Sequence, residues 1–540
     1  MADMSRRALL RSAAGVGAGV VAGSSLLAAC SGASPNNPAA ARAAMPSYIP
    51  YTGVTPDYPA LPNGTLAGFT HYPANPKPVY QGKPGDGQPV TAITQLNGPP
   101  PPALDSNQFW QELNNRVGSP LQIQQVNAGN DFVAKIATIQ ASGQLPDLMQ
   151  LSPAIPSLGE FVRAKMLDLA PYLSGDKIQK YPFLANIPTD FWKGCVYNGQ
   201  LAGVPIPRGA ASSRVMFYRA DLLAKRGITP EIKSYQDFSD LLSEITDARA
   251  SRWGLAANPL DYIRQMYSIP NNFYQEPNGS FSSAYEHPRQ KDALEAARKL
   301  QANGVINPDM AAAPAPQVNQ WFLSGIGVFN WGSYTGWPGA SGGYTAVQPG
   351  TRFGLLQVPG FDGGKGRGWA GNLINNMVSI PASAKNRAET LLAIINWLAT
   401  PFGSEEHTFT SFGIPGVHYT LDGTNPKPIP GKALELGVGI GYLGSGPYAL
   451  YNAQDPDFVK TVHDHMSTFM DTAVLDPTQI YYSPTFGSKG GQLYNTMKLA
   501  ELDVIYGRKP VSAWDDIVRD YLNRGGSAVK TELAKAAQNS

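Results

Sequence analysis

Three short runs hold the residue types of catalysis or metal capture. Gly339-Ala340-Ser341-Gly342-Gly343 has the G-x-S-x-G spacing that exposes a serine nucleophile at a strand-to-helix turn. Its flanks are Trp337-Pro338 and Tyr344, so the run reads as a glycine loop without the elbow. Gly439-Ile440-Gly441-Tyr442-Leu443-Gly444 has the spacing of a dinucleotide loop, but no helix clearly opens behind it. His463-Asp464-His465 suggests a metal, yet on a helix residues two apart point to different faces and do not converge on one ion. Asp and Glu are plentiful enough for a glycosidase pair, but chain order does not say which two would face each other. The expectation is therefore no catalytic set, no metal set and no cofactor.

Composition narrows the classes further. The chain has 540 residues, of which 43% are hydrophobic and 15% charged, enough apolar material for two or more lobes. It has 9 Trp, 25 Tyr and 20 Phe, which excludes disorder over most of its length. The near balance of 42 Lys+Arg against 40 Asp+Glu argues against a nucleic-acid partner. Two cysteines exclude a disulfide scaffold.

The N-terminus reads as an address. Ser5-Arg6-Arg7-Ala8-Leu9-Leu10-Arg11 forms a twin-arginine signature, and Ser12 to Ala29 is an uncharged, mildly apolar run. It ends in Leu27-Ala28-Ala29-Cys30, which resembles a bacterial lipobox with Cys30 as the lipidated residue. Cleavage there removes Arg6, Arg7, Arg11 and Asp3, which takes the formal charge of +2 to zero. It also leaves Cys195 without a partner, expected to be buried and inert.

Sixteen prolines fall between Pro35 and Pro102. Residues 31–47 read as a flexible tether. Residues 48–84 add Tyr48, Tyr51, Tyr58, Phe69, Tyr72 and Tyr80, which predicts a strap packed on the folded body. Alternation then predicts strands at Val90–Thr94, Leu121–Val126 and Leu148–Leu151. Helices are expected through Phe109, Trp110 and Leu113, and over Asp131–Ser142. Strands alternating with helices in this way indicate a parallel α/β sheet. Four later helices have readable starts: Ser234 with Asp237, Asn386 with Glu389 as a capping box, Asp457, and Ser512 with Asp515, the last stopped by Gly525-Gly526.

Several segments resemble a known family. DFVAKIATIQASGQLPDL (131–148) resembles the helix and Pro-Asp-Leu turn of extracellular solute-binding proteins of carbohydrate ABC importers. VYNGQLAGVPIPRGAASSRVMFYRADLL (196–223) is similar to that family's first crossover between lobes, with Ala220 where the family often has Lys. NQWFLSGIGVFNW (319–331), residues 385–418 including GIPGVHYT, and VSAWDDIVRDYLNRGG (511–526) follow in the family's order. Together these patches span about 86 to 537. The nearer resemblance is to the long lipoprotein branch close to the alginate-oligosaccharide-binding proteins; the maltose-binding protein is a more distant likeness. That branch sometimes has an EF-hand-like calcium loop, and no such run occurs here.

The resemblance implies an α/β, two-lobe periplasmic-binding-protein-like fold (type II), with a cleft between lobes joined by crossover strands. The implied division is a signal at 1–29 and a tether and strap at 30–87. First-lobe segments follow at 88–207 and 357–428, and second-lobe segments at 208–356 and 429–540. It implies a monomer on the outer face of the cytoplasmic membrane, handing a carbohydrate to a membrane permease. Sugar hydroxyls want amide, carboxylate and guanidinium partners, and sugar faces want aromatic rings. Strand-end loops then nominate Asn97, Ser152, Arg208, Arg214, Asn372, His418 and Tyr442 for polar contact. Trp331, Tyr334, Trp337 and Trp369 are nominated for stacking. A secreted glycosidase or lyase, and a receptor for peptides or phosphodiesters on the same fold, stay open beside this reading.

Overall fold

Val90, Ala92, Ile93 and Thr94 are all buried, because the strand they start lies inside a sheet covered on both faces. The structure is a computed structural model that describes residues 45–336, 350–453, 455 and 457–538. In chain order its principal strands are β1 (Val90–Leu96), β2 (Leu121–Asn127), β3 (Leu148–Leu151), β4 (Val204–Pro207), β5 (Arg214–Arg219), β6 (Trp253–Leu255), β7 (Gly327–Ser333), β8 (Phe353–Leu356) and β9 (Ile374–Ser379). One sheet has the order β2-β1-β3-β9-β4, the other β8-β5-β7-β6. In the first, β1 runs parallel to β2 and β3, while β9 is antiparallel to both β3 and β4. In the second, β5 is antiparallel to β7 and β8, and β6 is parallel to β7.

Local sequence explains the helices that connect them. Asn107 accepts a hydrogen bond from the Trp110 amide at 2.9 Å and opens the helix Gln108–Val117, whose Phe109, Leu113 and Val117 recur every turn on the buried side. Gly118, at φ 77°, closes it in the left-handed conformation that glycine adopts without strain. The helix Asn130–Ser142 buries Phe132, Ile136 and Ile139 in the same way.

Each sheet has its own apolar core. Ile93, Phe109, Leu148, Trp192 and Leu391 belong to the first. Phe217, Phe238, Tyr262, Phe329 and Phe458 belong to the second. These cores correct the sequence-based division. Val358 packs in the second core, and Phe361 stacks on Tyr235 and Tyr267 at 4.6 and 4.0 Å, so the second lobe runs past residue 356. Val438, Ile440 and Leu443 pack in the first core, so that lobe runs past residue 428. Both stretches are irregular, with no periodicity to mark their allegiance. The chain thus crosses at 208–213, again before Ile374, and again between Leu443 and Leu450. A further segment, 474–487, reaches back: Tyr482 donates to Glu160 at 2.7 Å and the Ser157 amide donates to the Gly487 carbonyl at 3.3 Å.

Residues 45–87 lie extended across both lobes. The Ile49 amide donates to the Ala185 carbonyl at 2.8 Å in the first lobe. Asn63 donates to the Ser467 carbonyl and to Asp471, at 2.9 and 2.8 Å, on the second-lobe helix Phe458–Thr472. The strap then returns: the Val79 and Tyr80 amides donate to the Glu406 carboxylate at 3.0 and 2.9 Å. Phe69 and Tyr72 are buried, whereas Tyr48 stays 47% exposed.

Three helix boundaries differ from the sequence expectation, one being Ser512, which lies in a tight turn over Val511–Ala513 ahead of the helix Trp514–Tyr521. Asn386 opens no capping box: a tight turn over Ala382–Arg387 runs into the helix Ala388–Leu398, and Arg387 is drawn aside to Asp86 of the strap at 2.9 Å. Gly525-Gly526 does not end the helix Trp514–Tyr521. Gly525, at φ 150°, forms a wide turn through which the chain continues into Ser527–Gln538. Ser234 caps as its spacing implies, accepting from the Asp237 amide at 3.2 Å.

Candidate functional site

Strand direction decides where loops collect. In the first sheet β1, β2, β3 and β4 all end at one edge, where antiparallel β9 begins. In the second sheet β6, β7 and β8 end where β5 begins. Because β4 passes into β5 through residues 208–213, these two carboxyl edges meet at the crossover. Such an edge is where open α/β sheets bind ligands.

On the first-lobe edge the structure gathers a polar cluster. Asn97, exposed behind β1, donates to the Tyr442 hydroxyl. Asn376, buried in β9, donates to the Tyr442 carbonyl at 3.2 Å, and exposed Asn375 donates to the Asn376 side-chain carbonyl at 2.9 Å. Arg208 is half-buried at the start of the crossover, and burial pulls its pKa down from the ordinary arginine value. The phenols of Tyr448 and Tyr442 oppose that shift. Ser152, half-buried behind β3, accepts at its carbonyl from the Ile155 amide at 3.0 Å.

Asn375, Asn376 and Tyr448 escaped the sequence reading. The first two face the edge only because β9 runs against its neighbours. Tyr448 lies in an aperiodic stretch.

The second-lobe residues separate into exposed and buried. Arg214 is exposed, its guanidinium 5.9 Å over the Trp331 ring. Trp369 is half-buried, its indole N–H donating to the Ile269 carbonyl at 2.8 Å. Its backbone pairs with Val474, beside Leu475, which is 53% exposed. Asn372 is exposed, and its carbonyl accepts from the Ser212 hydroxyl at 2.9 Å.

Three nominated residues are instead packed inside. Trp331 is 7% exposed and lies 6.0 Å from Tyr262. Tyr334 is buried against Phe469 and donates to His465 Nδ1 at 2.7 Å. His465 donates from Nε2 to the Leu356 carbonyl at 2.9 Å, which fixes its neutral tautomer. Burial pushes the Tyr334 hydroxyl pKa well up and takes His465 down to about 4. His418 is buried in the first lobe, accepting the Ile414 amide at Nδ1 and lying 3.3 Å from Glu435 at Nε2. All three are packed within their own lobes, with the Trp331 indole N–H left without a hydrogen-bond partner. Trp337 and Gly339–Gly343 lie outside the described residues.

The segment 474–487 was also missed. Asp476 is buried, held by Asn272 at 3.1 Å and by the Thr478 amide at 2.9 Å, and burial raises its carboxyl pKa. Gln479 accepts from the Leu373 amide at 2.9 Å, tying this segment to the crossover before β9. No hydropathy pattern marks either residue.

The Gly439–Gly444 run forms a tight turn over Ile440–Tyr442, with no helix opening on a phosphate site. His463 bonds to the Pro59 carbonyl at 2.9 Å, whereas His465 faces Tyr334, so the pair diverges. Among the described residues no group of three His, Cys, Asp or Glu side chains could hold a metal ion. No described helix is long and apolar enough to cross a membrane.

Comparison with known proteins adds four findings. The model of the family "bacterial extracellular solute-binding protein" matches residues 106–403. Lipoprotein LipO of Bacillus subtilis (strain 168) is 22% identical over 480 residues, covering 84% of this chain and 92% of that one. The polygalacturonan/rhamnogalacturonan-binding protein YtcQ of the same organism is 23% identical over 387 residues, covering 67% and 75%. Among solved structures, the alginate-binding protein AlgQ2 without calcium ion is similar at a TM-score of 0.59 and 15% identity. The match covers 84% of this chain and 99% of that one, a likeness of fold.

Proposed function

The chain belongs to the bacterial extracellular solute-binding protein family and has its two-lobe periplasmic-binding-protein-like fold, and on that premise we propose that it captures an oligosaccharide for an ABC importer. The observation that carries this reading is the meeting of two carboxyl edges at one crossover, lined by amides, phenols and guanidinium groups. Asn97, Ser152, Arg208, Tyr442 and Asn375 would meet sugar hydroxyls from the first lobe. Arg214, Trp369 and Asn372 would do so from the second, with Trp369 supplying the apolar face. Ligand bound to one edge favours the closed arrangement because the other edge adds contacts only on closure. The names of YtcQ and AlgQ2 support a carbohydrate ligand.

The segment before the described residues supports export by the twin-arginine route and a lipid anchor at Cys30, and the likeness to a lipoprotein supports the anchor. The mature chain would then sit on the outer face of the cytoplasmic membrane, beside its permease. Replacement Cys30→Ser should release the protein from the membrane fraction on phase partitioning; retention would refute the anchor.

The experiment for the reading itself is a thermal-shift and calorimetry panel of oligosaccharides, with products followed by chromatography. A micromolar ligand corresponds to about 8 kcal/mol, and at 100-fold excess over Kd it stabilises the native state by about 2.7 kcal/mol. Binding without turnover is the expected result. Release of shorter products would replace the receptor with a polysaccharide-active enzyme.

A further inference from the structure

Among the described residues the two fully buried arginines are each occupied by carboxylates, and half-buried Arg208 is not. Arg219 clasps Asp221 through two bonds of 2.8 Å. Arg264 is shared between Asp261 at 2.9 Å and Glu501 at 2.5 Å. Arg208 has no carboxylate within ion-pair distance among the described residues. Its guanidinium donates from Nη1 to the carbonyl of its own neighbour, Pro207, at 3.0 Å.

Its position is held by the backbone. The Arg208 and Gly209 amides both donate to the Leu373 carbonyl, at 2.9 and 3.1 Å, so the first crossover is bonded to the second. Gly209 takes φ +52°, and a Cβ there would come within 3.1 Å of the Phe191 ring. Two phenols act on the guanidinium electrostatically: Tyr448, on the later passage between the lobes, and Tyr442, which follows Ile440 of the first core. A desolvated guanidinium lacking a counter-charge is costly, and its planar fork matches a carboxylate or a sulfate.

We infer that the cleft takes an acidic oligosaccharide, one of whose carboxylate or sulfate groups is received by Arg208 at the floor of the crossover, flanked by Tyr442 and Tyr448. This rests on the reading of the chain as a carbohydrate receptor. It adds the chemical class of the ligand and the residue that selects it. Since Arg208 and Tyr448 lie on different passages between the lobes, an anion held by both would also draw those passages together.

The test is calorimetry on the mature chain with four trisaccharides: α-1,4-trigalacturonate, its fully methyl-esterified neutral form, a sulfated trisaccharide and an unmodified neutral one. The charged ligand should bind at least about tenfold more tightly than the ester. Arg208→Gln should weaken it roughly 10- to 100-fold, the range of a charge-assisted hydrogen bond, with the ester changed by less than about threefold. Arg208→Lys should fall between. The carboxylate and sulfate arms identify the anion. A second variant, Tyr448→Phe, covers the case in which Arg208→Gln fails to fold and should weaken the charged ligand by about threefold or more. Equal binding of acid and ester by the unaltered chain would overturn the inference, as would a preference that survives Arg208→Gln. Binding of the neutral sugars alone would overturn it and leave the receptor reading standing. Binding of none of the four, with a peptide or phosphodiester bound instead, would overturn both.

Discussion

Replacing Tyr72 with alanine should unseat the strap and cost the protein a large part of its stability. The ring is 2% exposed and lies among Phe402, Phe412 and Tyr451, with centroids at 5.0, 5.4 and 5.5 Å. Its hydroxyl lies 3.0 Å from Thr408 Oγ1 and 2.9 Å from His407 Nδ1, and its amide donates to Asn425 at 2.8 Å. Truncating a fully buried aromatic ring costs about 3–5 kcal/mol. Tyr72→Phe keeps the ring and removes only the hydroxyl contacts, so it should cost about 1–2 kcal/mol. The gap between the two variants is the share due to packing. Equilibrium urea unfolding followed by far-UV circular dichroism gives both values, and limited proteolysis reports whether residues 45–87 are released first. A loss below about 1 kcal/mol for Tyr72→Ala would refute the reasoning, because the strap would then be a peelable appendage.

Four further outcomes can be measured. His407 and His465 are buried and held neutral, each with a pKa of about 4 against 6.5 for an exposed histidine. The unfolded chain therefore takes up these protons first, and stability should be intact above pH 6.5 and decline as pH falls toward 4, by up to about 3 kcal/mol per histidine. His465→Gln should flatten that slope in urea titrations at pH 7 and 4.5; an unchanged slope would count against the burial argument. Glu501→Gln removes one partner of buried Arg264 and should destabilise by about 3–5 kcal/mol. Trp369→Ala should weaken the preferred oligosaccharide by about tenfold while the melting temperature shifts little. Cys195 is fully buried and its thiol pKa is pushed up, so it should resist a thiol reagent until the protein is unfolded; rapid labelling of the native chain would refute this.

How far these features could be read from the sequence follows from periodicity. β1, β2 and β3 with their helices were readable because Phe109, Leu113 and Val117, or Phe132, Ile136 and Ile139, recur at the helical period beside alternating strands. β9 was not, since INNMVS is buried from Asn376 onward yet carries two asparagines, and only topology explains them. The cleft suffered most. A strand-end aromatic can point into solvent or into its own lobe, and chain order alone does not distinguish the two. Tyr334 and Trp331 point inward, toward His465 and Tyr262. His418 was drawn to Glu435 by a loop contact with no local signature.

The strap also sets a timetable. Asn63 bonds to Asp471, 408 positions later, and Tyr72 touches Thr408, 336 positions later. The stretch of the strap from Asn63 to Tyr72 must therefore wait for late parts of the chain. At 5–20 residues per second, a wait of some 400 residues is about 20–80 s. For most of it Phe69 and Tyr72 have no native surface to cover them, since Phe402 is made late. The first lobe shares the delay, because β9 fills the place between β3 and β4 long after both are made. Native assembly is thus a late, long-range closure rather than a succession of lobes, and a chain engaged by chaperones or proteases during that interval is most exposed at its strap.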